Sequence, residues 1–464
     1  MNRQKRNLPL LGMLSLVALV GGCASQPPHE AFNHNAAAAG FGDTITFVTS
    51  GMPTDASPDA DDGPTLRLDD AVQRTLKNDP GVQAALARTR VALADARQAR
   101  LLPNPVVSVA FRFPEGGDGN PLIDAGLTAD LLSLLLKPRQ VSAADHRLRA
   151  ASSEALTTVL DVVAEVQDLY TTVQALDGQM INLDERMKLV QRLLGLARAR
   201  MQAGESGRLD VITLESERAS LEVEITQAEL ERREQRLALT RLLGQPSGAA
   251  DWQLTPWSPP PSLALSESAW IATALERRPE VQARRWELAA LGDEAAVAGW
   301  GVFEGSEVGV ESERDPKWSV GPALSIPIPL LDWGQARREK VQAQQIEARH
   351  RLTQARRQIV EDVRRSIAAL QASEAALAKA RTELIPLADQ RREQAEASYK
   401  NGFADITAVL LAEQDAQGAR AKLIELQQKV SSVRFRLQRA AGGPGAVPES
   451  SATQPTTQAS TEQS

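Results

Sequence analysis

The chain has 464 residues, a formal net charge of −7 and an apolar fraction of 42%, values typical of a folded protein large enough for more than one core. Aromatic residues make up only 4% of it, whereas Ala, Leu, Arg, Gln and Glu dominate long tracts, which indicates long helices rather than a globular enzyme. A mildly acidic balance with both signs interspersed also argues against a nucleic-acid partner.

The N-terminus has the pattern of a secretory signal. Three cationic residues precede an apolar stretch at 8–20, and small residues then lead to Cys23, the one cysteine of the chain. The apolar stretch is too short to span a bilayer. It resembles a bacterial lipobox, which predicts removal of residues 1–22 and acylation of Cys23. Ala24 follows the cysteine, which in such lipoproteins implies sorting to the outer membrane.

Both ends of the mature chain lack hydrophobic periodicity. Residues 23–63 are rich in Ala, Gly, Pro, Asp and Thr, and we interpret them as a lipid anchor followed by a flexible tether. Residues 442–464 have a similar composition, and we expect a disordered tail there.

The chain between these ends repeats itself. The segment at 79–84 returns at 278–283 with an offset of 199 residues, and the glycine at Gly204 returns as Gly402 with an offset of 198. The two halves therefore stay in register over their whole length, which indicates an internal duplication. The predicted division is a first repeat, a Pro-rich linker and a second repeat, at 64–245, 246–262 and 263–441.

Each repeat contains a predicted β-hairpin, at about 105–135 and about 306–328. Apolar and polar residues alternate along both runs, and Gly and Asn residues at 116–120 mark the first turn. The hairpins thus have one apolar and one polar face, and the polar face contains Arg112, Asp124, Asp130 and Glu311.

Each repeat also contains a predicted helical hairpin, at about 139–244 and about 334–440. Apolar residues recur every seven positions from Val159 to Met201, and a second such row lies between them, so this helix has a sustained a/d seam. It would be about 90 Å long at 1.5 Å per residue, more than a single globular domain needs. In the second repeat, Pro386 predicts a kink or a break.

Four amphipathic strands cannot close a barrel by themselves, and open strand edges are not tolerated in hydrocarbon. The strands must therefore be shared between copies of the chain. Two copies would supply eight strands and three would supply twelve, and a water-filled lumen lined by charged residues needs the wider barrel. This architecture predicts conduction as the function.

Residues 64–441 resemble the TolC family of outer-membrane efflux proteins, in its lipidated branch. The resemblance is carried by the segment at 325–335 and by the two helical turns at 200–211 and 398–403. It implies a mostly α protein with membrane β: a homotrimer with a twelve-stranded β-barrel and a tunnel of coiled-coil helical hairpins. It also implies that the channel works with a periplasmic adaptor and an inner-membrane pump, as part of a tripartite efflux or type I secretion-like system.

The residues of the hairpin tips have two explanations, one structural and one implied by this resemblance. A glycine at a helix C-terminus is explained by the positive φ of a reversing turn alone. In the family, however, the tips meet the coiled-coil hairpin of the adaptor, which assigns this docking to Ala203, Gly204, Glu205, Asn401, Gly402 and Phe403.

The tunnel of the family closes at a gate near the tips. The positions that carry gate aspartates in the family are occupied here by Ala408 and Leu411, so the resemblance favours a hydrophobic constriction at Leu411 that excludes ions by dewetting. An acidic ring is the alternative, although charged residues on a helix are more often solvated surface. Its candidates are Asp210, Asp405 and Glu413.

No motif in the sequence predicts catalysis. The chain lacks a zinc-protease helix motif, a nucleophile elbow and a phosphate-binding loop, and we expect neither an enzyme nor a cofactor or metal site. Two alternatives to the channel remain open: a lipidated periplasmic adaptor, and a structural coiled-coil lipoprotein without a pore. An adaptor has one helical hairpin within β-rich modules, and a structural coiled coil has no need of strands with a lipid-like face.

Overall fold

A computed structural model describes residues 47–48, 54–55, 65–113, 122–260, 263, 266–315 and 317–446. The predicted acylation site Cys23 and the predicted turn at 116–120 lie outside these residues. Within the tether, the backbone N–H of Val48 donates to the Gln83 side chain at 3.0 Å, and Arg90 lies over the Phe47 ring at 3.8 Å. This part of the tether therefore contacts the folded body.

The first repeat begins with a short strand and two helices. Strand β1 (Thr65–Leu66) leads into α1 (Leu68–Asn78) and α2 (Pro80–Arg100). The break between the helices is set by Pro80, because the residue before a proline disfavours helical geometry. The Asp79 carboxylate accepts a hydrogen bond from the Val82 N–H at 2.8 Å and so caps the second helix.

The four long strands form one antiparallel sheet in the order β2-β3-β5-β6. Strands β2 (Val106–Arg112) and β3 (Leu122–Asp130) come from the first repeat, and β5 (Glu307–Asp315) and β6 (Lys317–Ser325) from the second. Both predicted strand pairs are therefore confirmed, and the two repeats meet between β3 and β5.

The helical hairpin of the first repeat starts earlier than predicted. Helix α3 (Leu131–Gln202) has 72 residues and would be about 108 Å long, and it begins at Leu131 rather than Arg139. The Asp130 carboxylate caps this helix, and Pro138 sits inside it, in its second turn. Helix α4 (Arg208–Leu242) returns along α3. The predicted seam is confirmed in that Val159, Val166, Val173 and Leu194 are buried.

The second repeat has the same order of elements. Strand β4 (Gln253–Leu254) lies in the linker, and α5 (Glu267–Arg277), α6 (Pro279–Trp300) and a 3₁₀ turn (Gly301–Phe303) precede β5. The long helix is α7 (Gln335–Lys379) followed by α8 (Ile385–Lys400), and α9 (Ile406–Ala441) returns. The predicted disturbance near Pro386 is a single π-helical turn (Ala380–Leu384) between α7 and α8. Leu384, the last residue of this turn, is exposed.

The halves are also joined midway along the helices. Strand β1 pairs in parallel with β4, and the hydroxyl of buried Tyr170 donates to the Leu66 carbonyl at 3.0 Å and accepts from the Thr255 N–H at 3.3 Å. The indole N–H of Trp257 donates to Ser431 on α9 at 3.0 Å. The predicted linker is thus held against both long hairpins.

The predicted tail begins later than expected. Gly442 and Gly443 have positive φ and end α9, and a 3₁₀ turn follows at Pro444–Ala446. Ala446 is buried, and the Gly445 carbonyl accepts a hydrogen bond from Arg277 at 3.1 Å. Residues 442–446 therefore belong to the folded body, where they pack beside α5.

Candidate functional site: sheet face, hairpin tips and tunnel wall

The strand register separates the sheet into two faces. Residues paired across strands, and residues two apart along a strand, project from the same face. Ala110 pairs with Asp124 and Asp124 with Glu313, while Gly126 pairs with Glu311. The register therefore places the four predicted polar residues together on one face: Arg112, Asp124, Asp130 and Glu311.

Three of these residues have local structural roles. Arg112 forms an ion pair with Asp124 at 2.9 Å across β2 and β3. The Asp130 carboxylate accepts hydrogen bonds from the N–H and the hydroxyl of Ser133, at 2.9 and 2.6 Å. Capping of α3 therefore explains the aspartate at position 130 without any further function.

The opposite face of the sheet is apolar and exposed. Val107 pairs with Leu127, Leu127 with Val310 and Val308 with Leu324, so the alternation runs across all four strands. Their side chains are not covered by any other described part of the chain. The large apolar side chains exposed on this face of β2, β3, β5 and β6 are Val107, Val109, Phe111, Leu127, Val308, Trp318, Val320 and Leu324.

The two hairpin tips have the same backbone geometry. In the first tip, Gly204 has a φ of 76°, and the N–H of Glu205 donates to the Arg200 carbonyl at 2.8 Å. In the second tip, Gly402 has a φ of 75°, and the N–H of Phe403 donates to the Ser398 carbonyl at 2.9 Å. Both are left-handed glycine caps of a long helix, as the sequence predicted.

The tips are joined to each other by two residues that the sequence analysis missed. The Arg200 guanidinium donates to the Tyr399 carbonyl at 3.2 Å and lies 4.9 Å from the centre of its ring. Tyr399 is buried among apolar side chains of both hairpins, including Leu214 and Ile406. Burial raises the pKa of the Tyr399 phenol, against the opposing effect of the Arg200 guanidinium.

The predicted docking residues are accessible at these joined tips. The side chain of Phe403 is 88% exposed, and Leu209 on the neighbouring hairpin is also exposed. The tips thus present apolar area beside two turns whose backbones are fixed. The other predicted members are exposed as well: Ala203, Gly204, Glu205, Asn401 and Gly402.

The four gate candidates lie in different environments. Asp405 caps α9, because its carboxylate accepts from the Ile406 N–H at 2.7 Å and from the Thr407 hydroxyl at 3.1 Å. Asp210 is half-buried in the first turn of α4, and Leu411 is 52% exposed on α9.

Glu413 is only 3% exposed, and it accepts a hydrogen bond from Gln417 at 2.6 Å. Both residues lie beside a cavity of about 720 Å³ between α9 and residues of α3 and α8 such as Lys188 and Arg392. The carboxyl of Glu413 is therefore packed between helices of a single chain.

A serine, a histidine and an aspartate meet near the sheet. His146 stacks on Trp286, and its Nε2 lies 3.4 Å from the Ser142 hydroxyl and 3.6 Å from the Asp293 carboxylate. A catalytic triad needs the serine and the carboxylate on opposite ring nitrogens, so this arrangement is not one. Asp293 instead pairs with Arg139 at 2.9 Å, which links α3 to α6.

Among the described residues, no group of three or more His, Cys, Asp or Glu side chains is arranged to hold a metal ion. None of the helices in the described ranges combines the length and the apolarity needed to cross a bilayer.

An amphipathic sheet on long paired helical hairpins defines a channel subunit of the bacterial outer membrane. The family model described as outer membrane efflux protein matches residues 71–245 and 304–443, and the chain belongs to this family. The family consists of channel proteins, and the chain is an outer-membrane efflux channel subunit.

The chain is similar to the pyoverdine export outer membrane protein OpmQ of Pseudomonas aeruginosa, with 25% identity over 410 residues that cover 81% of this chain and 85% of OpmQ. Its fold is that of the outer membrane protein VceC from Vibrio cholerae, with 20% identity, a TM-score of 0.67 and coverage of 81% and 96%. The outer-membrane channel MtrE of Neisseria gonorrhoeae matches with 18% identity, a TM-score of 0.62 and coverage of 85% and 95%.

Proposed function

We propose that three copies of the chain pool their sheets into one twelve-stranded barrel, with the polar face lining a water-filled lumen. The observation that carries this proposal is the open sheet: the outer edges of β2 and β6 pair with no other described strand, and the apolar face is exposed. An isolated sheet of this kind would leave backbone groups unpaired in lipid. Arg112, Asp124, Asp130 and Glu311 then face the lumen.

A pair of matched substitutions on β6 tests this arrangement. Val320 lies on the apolar face and Ala323 on the polar face of the same strand. An arginine facing lipid at mid-membrane costs about 2–4 kcal/mol. We expect Val320→Arg to reduce insertion into the outer membrane and Ala323→Arg to leave it intact. Purified wild-type protein should be a trimer by native mass spectrometry and should conduct ions in planar bilayers; a monomer without conductance would refute the proposal.

The hairpin tips are the proposed docking site for a periplasmic adaptor, through which an inner-membrane pump delivers substrate. Support comes from the exposure of Phe403 and Leu209 beside fixed turns, since exposed apolar area at helix ends suits a partner helix. We expect Phe403→Asp to abolish export and adaptor cross-linking, with trimer and membrane insertion intact. Phe403→Leu keeps the apolar area and should retain export. Unchanged export by Phe403→Asp would assign docking elsewhere.

The proposed gate is an apolar constriction at Leu411. Leu411 is half exposed in the single chain. Glu413 is packed between helices, and Asp405 caps α9. These environments support a constriction at Leu411 over an acidic ring built from Glu413 and Asp405. Asp210 remains the acidic candidate. A constriction that dewets loses its barrier when its side chain becomes polar. We expect Leu411→Ser to raise single-channel conductance several-fold and Asp210→Asn to leave it unchanged; the reverse result would favour the acidic ring.

Acylation of Cys23 is the proposed attachment to the outer membrane. The support is the sequence pattern before the cysteine together with the family's location in that membrane. Stable anchoring needs more than one acyl chain, which lipoprotein processing supplies. Labelling with radioactive palmitate should mark the wild type and not the Cys23→Ser variant. Equal labelling of both proteins would refute the assignment.

A further inference from the structure

The cavity beside Glu413 lies between the two helical hairpins of one chain. It is lined by α3 of the first hairpin and by α8 and α9 of the second, and its volume is about 720 Å³. Small-molecule sites in proteins commonly have volumes of about 300–1,000 Å³. All the side chains that line this cavity are polar or charged except that of Leu189. Its size and lining therefore suit a small polar ligand.

Two buried acceptor atoms in the cavity have no partner. Glu413 is 3% exposed and Gln417 is 7% exposed, and the Gln417 amide donates to one carboxylate oxygen of Glu413 at 2.6 Å. Among the described residues, no donor reaches the other carboxylate oxygen, Oε2, or the amide oxygen of Gln417. A buried acceptor without a partner is unfavourable, which indicates that a bound molecule supplies the missing donors.

An unmatched donor lines the same cavity. The Nε of Arg392 on α8 is buried without a hydrogen-bond partner in the described part of the chain, and the Arg392 guanidinium lies 3.9 Å from Asp389. The neighbouring Arg420 is already paired, with Asp389 at 3.0 Å and with Glu185 at 3.3 Å. Arg392 therefore has capacity for a further acceptor in the cavity that contains the unpaired carboxylate oxygen.

The charges that line the cavity decide the chemical class of the ligand. A simple cation would be repelled by the excess of positive charge. A simple anion would be repelled by Glu413 and would leave that buried carboxylate without a counter-charge. A molecule with both an ammonium and a carboxylate group meets both requirements. The cationic side chains are Lys188, Arg192, Arg392 and Arg420, and the anionic ones are Glu185 and Glu413.

We propose that this cavity binds a small zwitterion. The ammonium group of the ligand donates to Glu413 Oε2 and to the Gln417 amide oxygen, and its carboxylate accepts from Arg392. Charge-assisted hydrogen bonds of this kind are about twice as strong as neutral ones. Because α3 lines the same cavity, the bound molecule contacts both hairpins. The site lies within one chain and does not depend on the proposed barrel or on adaptor docking.

Isothermal titration calorimetry of the purified full-length protein in detergent tests the proposal. The probes are glycine, γ-aminobutyrate and ε-aminocaproate, which are zwitterions of increasing length. Hexanoate, hexylamine and sorbitol are the controls with one charge or none. We expect at least one zwitterion to bind at least about tenfold more tightly than each control, because both of its charged groups are paired. Equal binding of a control would overturn the proposal. Binding of no zwitterion would also overturn it and would assign the buried acceptors to water.

A substitution at the buried carboxylate tests the assigned contacts. Glu413→Gln should weaken binding of the preferred zwitterion at least about tenfold and should strengthen binding of hexanoate, because an anion no longer meets a carboxylate. A misfolded variant would bind neither, so the gain for hexanoate separates the two causes. Glu425→Gln is the matched control, since Glu425 lies on the same helix, is exposed, and pairs with Lys422 at 2.8 Å outside the cavity. It should bind both probes like the wild type. Unchanged zwitterion binding by Glu413→Gln would refute the proposal.

Discussion

At the residue scale, the hairpin tips show how one glycine differs from another. Gly204 has a positive φ at the end of α3, whereas Gly195 lies within the same helix. An added Cβ would meet no atom within 4 Å at either position, so steric contact with the rest of the chain is the same in the two cases. Only the backbone conformation distinguishes them.

This difference predicts opposite effects of the same substitution. Gly204→Ala should destabilise the protein by about 1 kcal/mol, because a left-handed conformation is unfavourable for a residue with a Cβ. Gly195→Ala should stabilise it by about 0.5–1 kcal/mol, because alanine favours a helix interior. Denaturant unfolding of the detergent-solubilised protein, followed by circular dichroism, measures both. A stabilising Gly204→Ala would contradict the assigned tip geometry.

Some site residues could be predicted from the local sequence, whereas others depend on tertiary packing. The glycine caps and exposed Phe403 follow from local pattern, and the structure has them as expected. The contact between Arg200 and Tyr399 could not be predicted, because the repeat offset places both residues at equivalent tips but does not report that the two tips touch. Glu413 was a candidate for an acidic gate ring, with solvated surface as the alternative. It is buried in the structure because α9 packs against two other helices at this position.

At the element scale, period-two alternation identified all four strands, because each strand has one exposed apolar face. Strand order and the pairing of β3 with β5 depend on how the repeats meet, which alternation does not report. Helix α3 starts before the predicted position, because Asp130 caps it and Pro138 is accommodated inside it. Pro386 predicted an irregularity in this helix, but the sequence did not indicate that it would be a π turn at 380–384.

Alanine substitutions of two glycines on neighbouring strands of the sheet are predicted to have different effects on assembly. A Cβ on Gly309 in β5 would lie 2.1 Å from the Leu127 carbonyl oxygen and 2.8 Å from the Thr128 Cα, both backbone atoms of β3. At Gly321 in β6 a Cβ would meet nothing within 4 Å. Since backbone atoms cannot move aside without breaking the β3–β5 pairing, Gly309→Ala should strongly reduce folded trimer.

Gly321→Ala serves as the matched control, since it adds the same methyl group to the adjacent strand and should assemble like the wild type. Heat-labile trimer on a non-boiled gel, measured after expression at equal levels, distinguishes the two variants. Equal trimer yields would show that β3 and β5 do not approach as closely as the register requires.

At the scale of the whole molecule, charged side chains add to the strand pairing and helix packing that join the two repeats. Arg439 near the end of α9 contacts Asp161 on α3 and Glu280 on α6, each at 2.7 Å. Burial disfavours the charged form of Arg439, but these two carboxylates outweigh it and the net effect raises its pKa. The guanidinium therefore stays charged while it joins the two repeats.

Removal of this bridge should cost more stability than removal of a fully exposed ion pair. Arg439→Met leaves two carboxylates without their shared cation, and because Asp161 is 61% and Glu280 28% exposed, we expect a loss of about 1–3 kcal/mol, which is less than for a fully buried pair. The exposed pair of Arg365 and Glu361, one turn apart on α7, is the matched control, and Arg365→Met should cost less than about 0.5 kcal/mol. Unfolding in denaturant at neutral pH measures both. Similar losses for both variants would mean that the Arg439 bridge contributes little to joining the repeats.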